Sequence, residues 1–529
     1  MTVLLLLAAC TGSTPNGPVV RFDLHLVPVV PYNEAPFEGS DRTELTITRS
    51  GADPLVVDLG ALASGDTTLA EGIPELGEAV LTVSAWRADL LVGWGRTGTI
   101  TVLDGDDIEL PLFVARPGEV AWFSALPGTI YRPALGALGG GSFVAMGGTS
   151  AGSSGRLTRE VQEIYRLELA PPDDALAFVE VGTLPEWTDY NGGTHTGRSG
   201  FDLQRISVPG EDEGKLLLAG GSALSGFEQA TSVTASAFIY DPAANTFELL
   251  RDRDSFVTPR SEYLSLGNIQ GSIVYWGGWT ATNQDGYVGY ADTAEIYDPV
   301  NRKFTDLGRI QDLGPADAAA ADLGSEGTLI CGGGVEDTSN SMADWVSSAV
   351  CVRVGLNGSV ETAHDLPESR IGHAMVTLPD GRVLLAGGAS SAITAQTPGD
   401  PASEIPAVGD VWLYNPNNDT WSDGGELGLP RAGHRMTVLP DGRVLVVGGS
   451  STYLQAGLAS EPLSCVEVFD PATGRSEVLA DCSAGDDAGG LAGPAWQPSI
   501  AVDPEFGIVI AGGGASDSAA QDAVGLYLP

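Results

Sequence analysis

Apolar positions along this chain follow the period of strands throughout. In the first hundred or so residues they recur at every second place in short runs. Phe22, Leu24 and Leu26 share one face while Asp23 and His25 share the other. Glu44-Leu45-Thr46-Ile47-Thr48 and Val80-Leu81-Thr82-Val83-Ser84 alternate in the same way. Thr99–Leu103 and Ile108–Leu112 frame the turn Asp104-Gly105-Asp106. Period two, broken by turn residues, predicts a half-buried antiparallel sheet over residues 19–116. Past residue 118 the runs become continuously apolar, as in Lys215-Leu216-Leu217-Leu218-Ala219, and each ends in paired glycines.

Those pairs recur as Gly147-Gly148, Gly220-Gly221, Gly277-Gly278, Gly333-Gly334, Gly387-Gly388, Gly448-Gly449 and Gly513-Gly514, in steps of 54 to 73 residues. The two clearest copies, Arg370–Ser390 and Arg431–Ser451, agree at 14 of 21 positions without gaps. Both carry Arg-x-Gly-His, Leu-Pro-Asp-Gly-Arg-Val-Leu and Gly-Gly. Pro-Asp-Gly is turn chemistry, because Pro presets φ and Gly accepts a positive φ. Each copy therefore starts as strand, tight turn, strand. A variable loop follows, then a second hairpin marked by an aromatic, Asp or Asn, Pro and a later aromatic. It reads Tyr240-Asp241-Pro242 to Phe247, Tyr297-Asp298-Pro299 to Phe304, and Tyr414-Asn415-Pro416 to Trp421. Phe469-Asp470-Pro471 keeps the turn but has Ser476 in the final aromatic place.

Four strands per unit, repeated, is the pattern of a propeller blade. The glycine doublet, the spaced Tyr and the following Trp or Phe resemble the kelch repeat, whose period is about 50 residues. The resemblance spans roughly 118–529 and implies an all-β, seven-bladed kelch-type β-propeller. Six blades is the alternative, if one weaker unit is an insertion. Val120-Ala121-Trp122-Phe123 resembles the strand that the last unit lacks after Val524–Tyr527. Joining them would close the ring and leave no exposed edge. Residues 19–116 are expected to form a small β-sandwich, immunoglobulin-like or transthyretin-like, acting as a spacer. Within this frame Cys331 and Cys351 fall on adjacent strands of one blade, as do Cys465 and Cys482, so two disulfides are expected.

Charge narrows the partners. The chain has 26 basic and 69 acidic residues, a net charge of −43. Nucleic acid needs phosphate-neutralising cations and anionic lipid attracts basic surfaces, so both are excluded as charge-driven partners. The N-terminus suggests another route to a membrane. Val3–Ala9 is an apolar run too short to span a bilayer. It ends in Leu7-Ala8-Ala9-Cys10, which resembles the lipobox of bacterial lipoproteins. The resemblance implies a signal peptide over 1–9, acylation of Cys10, a polar linker over 10–18, and export. Thr11 lacks the acidic character associated with inner-membrane retention, which favours the outer membrane or cell surface.

Motifs that could carry chemistry mostly have simpler readings. Gly93-Trp94-Gly95-Arg96-Thr97-Gly98 matches a dinucleotide fingerprint, but strand residues follow where a helix is needed. Asp104-Gly105-Asp106-Asp107 lacks Ca²⁺-loop spacing and reads as a hairpin turn. Gly148-Thr149-Ser150-Ala151-Gly152 matches a nucleophile elbow, but belongs to a doublet and its loop. Kelch-like propellers include the copper-using galactose-oxidase family, whose site needs two His, a tyrosinate and a Cys crosslinked to Tyr. The histidines here are His25, His195, His364, His373 and His434. His373 and His434 occupy equivalent repeat positions, which points to a structural role. No catalytic, cofactor-binding or metal-ligating residue is assigned, and no cofactor is expected. The expected function is a binding or interaction module, monomeric, with a protein or carbohydrate ligand of the cell envelope. The loops Ser222–Thr231 and Ser390–Val408 would carry its specificity. A glycan-acting hydrolase or lyase with loop carboxylates is the alternative, and a purely structural envelope component a third. Cys10→Ala should move the protein from the membrane fraction to the soluble one; retention in the membrane fraction would show that the anchor lies elsewhere.

Overall fold

The computed structural model describes residues 3–5, 20–28, 39–61, 67–73, 77–102, 107–123, 126–127, 130–151, 157–169, 177–189, 192–224, 230–250, 255–268, 270–282, 288–337, 344–390, 405–453, 462–479, 495, 497–511 and 524–528. Among them the fold is all-β, with a single 3₁₀ turn at Gly324–Glu326.

Seven four-stranded sheets follow one another after residue 118, each a meander in which chain neighbours pair antiparallel. The first is Ala134–Gly139, Ser142–Met146, Glu163–Glu168 and Val179–Thr183. The second to sixth begin at Leu203, Leu264, Ala319, Ala374 and Arg435. The seventh is Ser499–Asp503, Gly507–Ala511 and Val524–Tyr527, completed by Val120–Phe123. Val120 lies opposite Tyr527 and Phe123 opposite Val524, so a strand from before the first sheet finishes the last.

First strands of successive sheets lie side by side from the first sheet to the sixth, and that of the seventh lies against that of the first. A shared apolar cluster, including Leu445, Val466, Ile508 and Tyr527, joins the sixth sheet to the seventh. The second strand of each sheet is apolar on both faces because neighbouring sheets cover both; Leu216–Ala219, Val383–Ala386 and Val444–Val447 are buried at every position. The succession of neighbours returns on itself, and the arrangement is propeller-like.

What spaces the sheets is one repeated stitch. In the first six sheets each second strand ends in two glycines with left-handed backbone, such as Gly220 and Gly221 at φ +62° and +98°. The second glycine's N–H donates to a carbonyl in the lead-in segment of the next sheet. Gly148 reaches Arg198 O at 3.0 Å, Gly221 reaches Arg260 O at 2.8 Å, Gly333 reaches Arg370 O at 2.8 Å and Gly388 reaches Arg431 O at 2.8 Å. Pro315 and Ala495 accept in the same way from Gly278 and Gly449. A Cβ on Gly220 would lie 2.5 Å from Arg260 O, so the close approach and the backbone both require glycine there. In the fourth sheet the left-handed pair is Gly332-Gly333, one residue earlier than the Gly333-Gly334 expected from sequence. Three consecutive glycines follow Cys331, and sequence spacing does not say which two leave the strand.

Arginine side chains complete the stitch. Arg260 Nη1 donates to Gly277 O at 3.1 Å, and Nη2 pairs with Glu295 Oε1 at 2.7 Å, both side chains fully buried. Arg431 repeats this with Gly448 O at 2.7 Å and Glu467 Oε1 at 2.6 Å. Glu467 Oε2 accepts from Gly428 N at 2.7 Å and from Ser476 Oγ. Ser476 thus departs from the aromatic pattern in order to satisfy a buried carboxylate. Where the aromatics are kept they meet across the last hairpin: Tyr240 with Phe247 at 4.8 Å and Tyr414 with Trp421 at 5.0 Å. Cys331 and Cys351 sit opposite each other on the second and third strands of the fourth sheet and form a disulfide, with Cα atoms 4.2 Å apart. Cys465 is disulfide-bonded as well, while Cys482, its expected partner, lies outside the described residues.

Upstream, Leu55–Gly60, Arg42–Arg49, Gly77–Arg87 and Leu90–Arg96 form one sheet, with Ile100–Val102 added to Gly77–Arg87. A second sheet orders Val3–Leu5, Thr67–Ile73, Val20–Pro28 and Asp107–Val114. Two of its pairings, Val20–Pro28 with Asp107–Val114 and Val3–Leu5 with Thr67–Ile73, are parallel, unlike the antiparallel sheet expected. Period two reports the buried face of a strand and is silent on the direction of its neighbour. This unit packs on the turns between first and second strands, the face opposite the glycine doublets. Arg96 pairs with Glu505 at 3.0 Å and lies over Phe506, and Trp94 packs on the seam of the first and seventh sheets.

Removing one partner of a buried ion pair strands the other in low dielectric. Glu467→Ala should destabilise the protein by about 3–5 kcal/mol, read as a fall in apparent Tm; an unchanged Tm would show that carbonyls alone satisfy Arg431.

Candidate functional site

Every lead-in segment turns into its first strand through a residue with left-handed backbone. In Arg-x-Gly-His it is the glycine, Gly372 and Gly433, at φ +65° and +64°. The other five sheets place Arg132, Gly200, Glu262, Asp317 and Gln497 there, and the four that are not glycine have φ between +48° and +52°. L-residues in this region cost about 1–2 kcal/mol each. Backbone bonds link several members into an annulus: Glu262 N to Gly200 O at 2.7 Å, Gly372 N to Asp317 O at 3.0 Å, Gly433 N to Gly372 O at 2.7 Å and Gln497 N to Gly433 O at 2.9 Å. Since the first strands are those that lie side by side, this annulus stands at their common mouth.

Two residues further on comes a deeper ring, Ala134, Asp202, Leu264, Ala319, Ala374, Arg435 and Ser499. Only Asp202 and Arg435 are charged in it, and both are solvent-exposed among mostly buried or half-buried neighbours. The mouth thus gathers two guanidinium groups and three carboxylates. Arg132 Nη1 pairs with Glu262 Oε2 at 3.3 Å. Asp317 accepts from Tyr453 Oη at 2.7 Å and from Gln497 Nε2 at 3.2 Å, a bridge that crosses the glycine side of the annulus. Asp202 Oδ2 accepts from Ser265 Oγ at 3.0 Å.

Enclosure shows in the acid–base behaviour. Burial works against the Arg132 charge, yet Glu262, Tyr131, Asp317 and Asp202 outweigh it and hold the guanidinium above its usual value. Arg435, although its side chain reaches solvent, is lowered by the protein packed around it and further by Arg132, with Asp202 and Asp317 opposing. Burial, joined by Asp317, pushes the Tyr453 phenol well up. Burial also raises Tyr131. These phenols stay neutral near pH 7, and Tyr453 acts as a hydrogen-bond donor rather than a nucleophile. The group suits ion-pair and hydrogen-bond recognition of a small polar moiety.

The residues singled out by sequence fall elsewhere. His373 Cε1 lies against the Cβ position of Gly332 and His434 Cε1 against that of Gly387. Phe201 fills the same slot over Gly147, Tyr263 over Gly220 and Pro498 over Gly448. The histidines are fillers of a ring-shaped gap, each in its own seam. Gly93–Gly95 lie within the strand Leu90–Arg96, and Thr149–Ala151 pairs with Leu157–Glu160, so neither motif opens a helix. Asp104, Asp106's neighbourhood up to residue 106, Cys10, and most of the loop Ser390–Val408 lie outside the described residues. Of Ser222–Thr231, the described ends form a hairpin, Ser222–Leu224 with Ala230–Val233. His195 Nε2 lies 2.9 Å from Asp189 Oδ2, and Ser232 Oγ donates to the same oxygen at 2.7 Å. The serine thus bonds the carboxylate rather than the imidazole, the wrong order for an activated nucleophile.

The annulus itself was missed in the sequence. Its signal was present: aligning each repeat on Arg-x-Gly-His exposes Arg, Glu, Asp and Gln where the motif has glycine.

Residues 430–483 match the Kelch motif family. No curated protein matches the chain by sequence. Among solved structures, that of YjhT is similar at 13% identity over 67% of this chain and 99% of that one, with TM-score 0.43. A fungal alcohol oxidase of the AA5 family, in complex with copper, is similar at 14% identity over 78% of this chain and 76% of that one, with TM-score 0.49.

Burial holds the folded His373 pKa at about 3, with Arg370 pushing the same way, against an ordinary 6.5. The unfolded chain then binds more protons between those values, so stability is full above pH 6.5 and falls as pH drops towards 3. His373→Phe, copying the residue at the equivalent slot of the second sheet, should flatten the loss of Tm across this window; an unchanged acid slope would show that this imidazole is not a source of acid sensitivity.

Proposed function

We propose that the seven sheets are the blades of a seven-bladed kelch-type propeller and that the chain is a binding protein whose ligand enters at the annulus. One observation carries this reading: four of seven left-handed positions hold Arg132, Glu262, Asp317 and Gln497, although glycine would fit without strain. Backbone strain retained at a shared mouth, on side chains that converge, is the pattern of a site selected for contact rather than stability. Hairpins that follow the glycine doublets rise around the same mouth and would shape its rim.

In this reading residues 19–116 are a β-sandwich spacer, and Cys10 carries the acyl anchor of a lipoprotein on the outer membrane or cell surface. The spacer's contacts with Glu505 and Phe506 support that geometry, because they lie on the face away from the doublets. The mouth would then face away from the anchored end and stay open to a carbohydrate or protein ligand of the envelope. A second reading, a glycan-acting hydrolase or lyase, draws on the three carboxylates Asp202, Glu262 and Asp317 at one mouth.

A soluble form lacking Met1–Cys10, tested on a glycan array and in a hydrolysis assay, separates the two. Binding without turnover is expected. Glu262→Gly, which keeps the left-handed backbone, should abolish binding while leaving Tm level or raised by up to about 1 kcal/mol of stability. Turnover would support the enzyme instead, and undiminished binding by the variant would place the site elsewhere.

A further inference from the structure

We propose that Asp317 is the ligand-contacting carboxylate of the mouth, that Tyr453 and Gln497 are its positioning residues, and that the ligand presents an ammonium group to it. This rests on the binding reading and adds the recognised chemical group to it.

The way Asp317 is held leads there. It is exposed at the mouth, whereas Tyr453 and Gln497 are buried. Tyr453 Oη donates to Oδ2 at 2.7 Å and Gln497 Nε2 to Oδ1 at 3.2 Å, so each carboxylate oxygen has its own donor. The donors come from the sixth and seventh sheets and cross the fifth to reach the fourth. On the way the phenol ring passes over Gly372, where a Cβ would lie 2.9 Å from it, so the turn of the fifth sheet must be glycine. A carboxylate has about four acceptor sites. Two are taken by donors that do not move with solvent, and the rest face the mouth.

Charge selects the ligand. The carboxylates at the lead-in arginines are neutralised, Glu295 by Arg260, Asp410 by Arg370 and Glu467 by Arg431. Glu262 has Arg132. Among the described residues Asp317 is held by a phenol and an amide alone, which orient it and leave its charge in place. The annulus thus sets Arg132 against Glu262 and Asp317, one negative charge in excess, while the deeper ring has one charge of each sign. Beside Asp317, Gly334 N donates to Ala316 O at 2.7 Å and starts a rim hairpin. That hairpin, residues 334–347, carries Glu336, Asp337 and Asp344 and no Lys, Arg or His. The net charge of −43 adds a field that draws cations to the mouth and turns anions away. An ammonium group brings the missing charge and three donors for the open acceptor sites. An amino sugar and a lysine side chain share that chemistry, and the probes separate them.

The test titrates the full chain calorimetrically in a non-ionic detergent, at low salt and about pH 6, where amines are protonated and carboxylates ionised. The probes are D-glucosamine, N-acetyl-D-glucosamine as its uncharged counterpart, and Nα-acetyl-L-lysine amide. At least one of the two amines should saturate below about 10 mM. D-glucosamine alone points to an amino sugar, the lysine amide alone to a protein side chain, and N-acetyl-D-glucosamine should be weaker than the bound amine by about ten-fold or more. Asp317→Asn, whose side chain tolerates the left-handed turn, should weaken that amine by about ten-fold or more at a level Tm. Tyr453→Phe keeps the ring over Gly372, and Gln497→Gly keeps the turn. Each should weaken the amine by about three-fold or more and shrink its advantage over N-acetyl-D-glucosamine. Saturation by neither amine, equal binding of N-acetyl-D-glucosamine, or an unchanged titration in Asp317→Asn would overturn the proposal. A lower Tm with an unchanged titration in both Tyr453→Phe and Gln497→Gly would overturn the positioning role. Glycan binding lost in Glu262→Gly but kept in Asp317→Asn would overturn the proposal while leaving the binding site in place.

Discussion

A single contact sets the geometry of this molecule: the amide of a left-handed glycine at the end of one sheet donating to a carbonyl at the start of the next. Six described seams share it. The bond is short because no side chain stands between the two backbones. Its worth lies less in its own energy, about 1 kcal/mol for an ordinary hydrogen bond, than in what it imposes. These six seams share one offset, so the apolar second strands of neighbouring sheets meet face to face. Repetition then turns a local constraint into closure, because a constant rotation between neighbours returns to its starting point. The strand Val120–Phe123 seals the last step and removes the final free edge.

The arginines answer the problem that the stitch creates. Pulling two backbones together buries carbonyls that have more lone pairs than amides to fill them. A guanidinium with five donors reaches the first glycine's carbonyl and, in the third and sixth sheets, a buried glutamate as well. Arg198 does this without a carboxylate, and burial lowers its pKa to about 9. Aromatic and imidazole rings then fill the gap above the same glycines. Histidine in two of these slots is thus packing material, which explains why its ring nitrogens are drawn away from protonation.

Function enters where the repeat is broken. The stitch needs glycine at the doublets and tolerates almost nothing else. The lead-in turn also favours glycine, and at Gly200 and Gly372 a Cβ would crowd Ser261 and Tyr453, but the four positions that hold Arg132, Glu262, Asp317 and Gln497 accommodate a side chain at the mouth. Substitution at that place costs strain and yields a group at the mouth. Arg132, Glu262, Asp317 and Gln497 are the places where that exchange was made, and Arg435 and Asp202 are its continuation one level deeper.

Strand pattern, unit length, the doublets and the hairpin turns were legible in the chain because each depends on neighbours within a few residues. The closing strand was legible as well, since the last unit is visibly one strand short. The Cys331–Cys351 contact followed from the frame, as both residues sit beside the same doublet and its loop. What sequence could not decide was anything resting on contacts between units. Which two of Gly332, Gly333 and Gly334 turn left-handed depends on where Arg370 and Gly314 lie. The parallel pairing of Val20–Pro28 with Asp107–Val114 joins segments far apart in the chain. The mouth is the clearest case. Its charged residues are spread over about three hundred positions, from Arg132 to Arg435. Only the ring brings them to one place, and only their common backbone conformation marks them as a set.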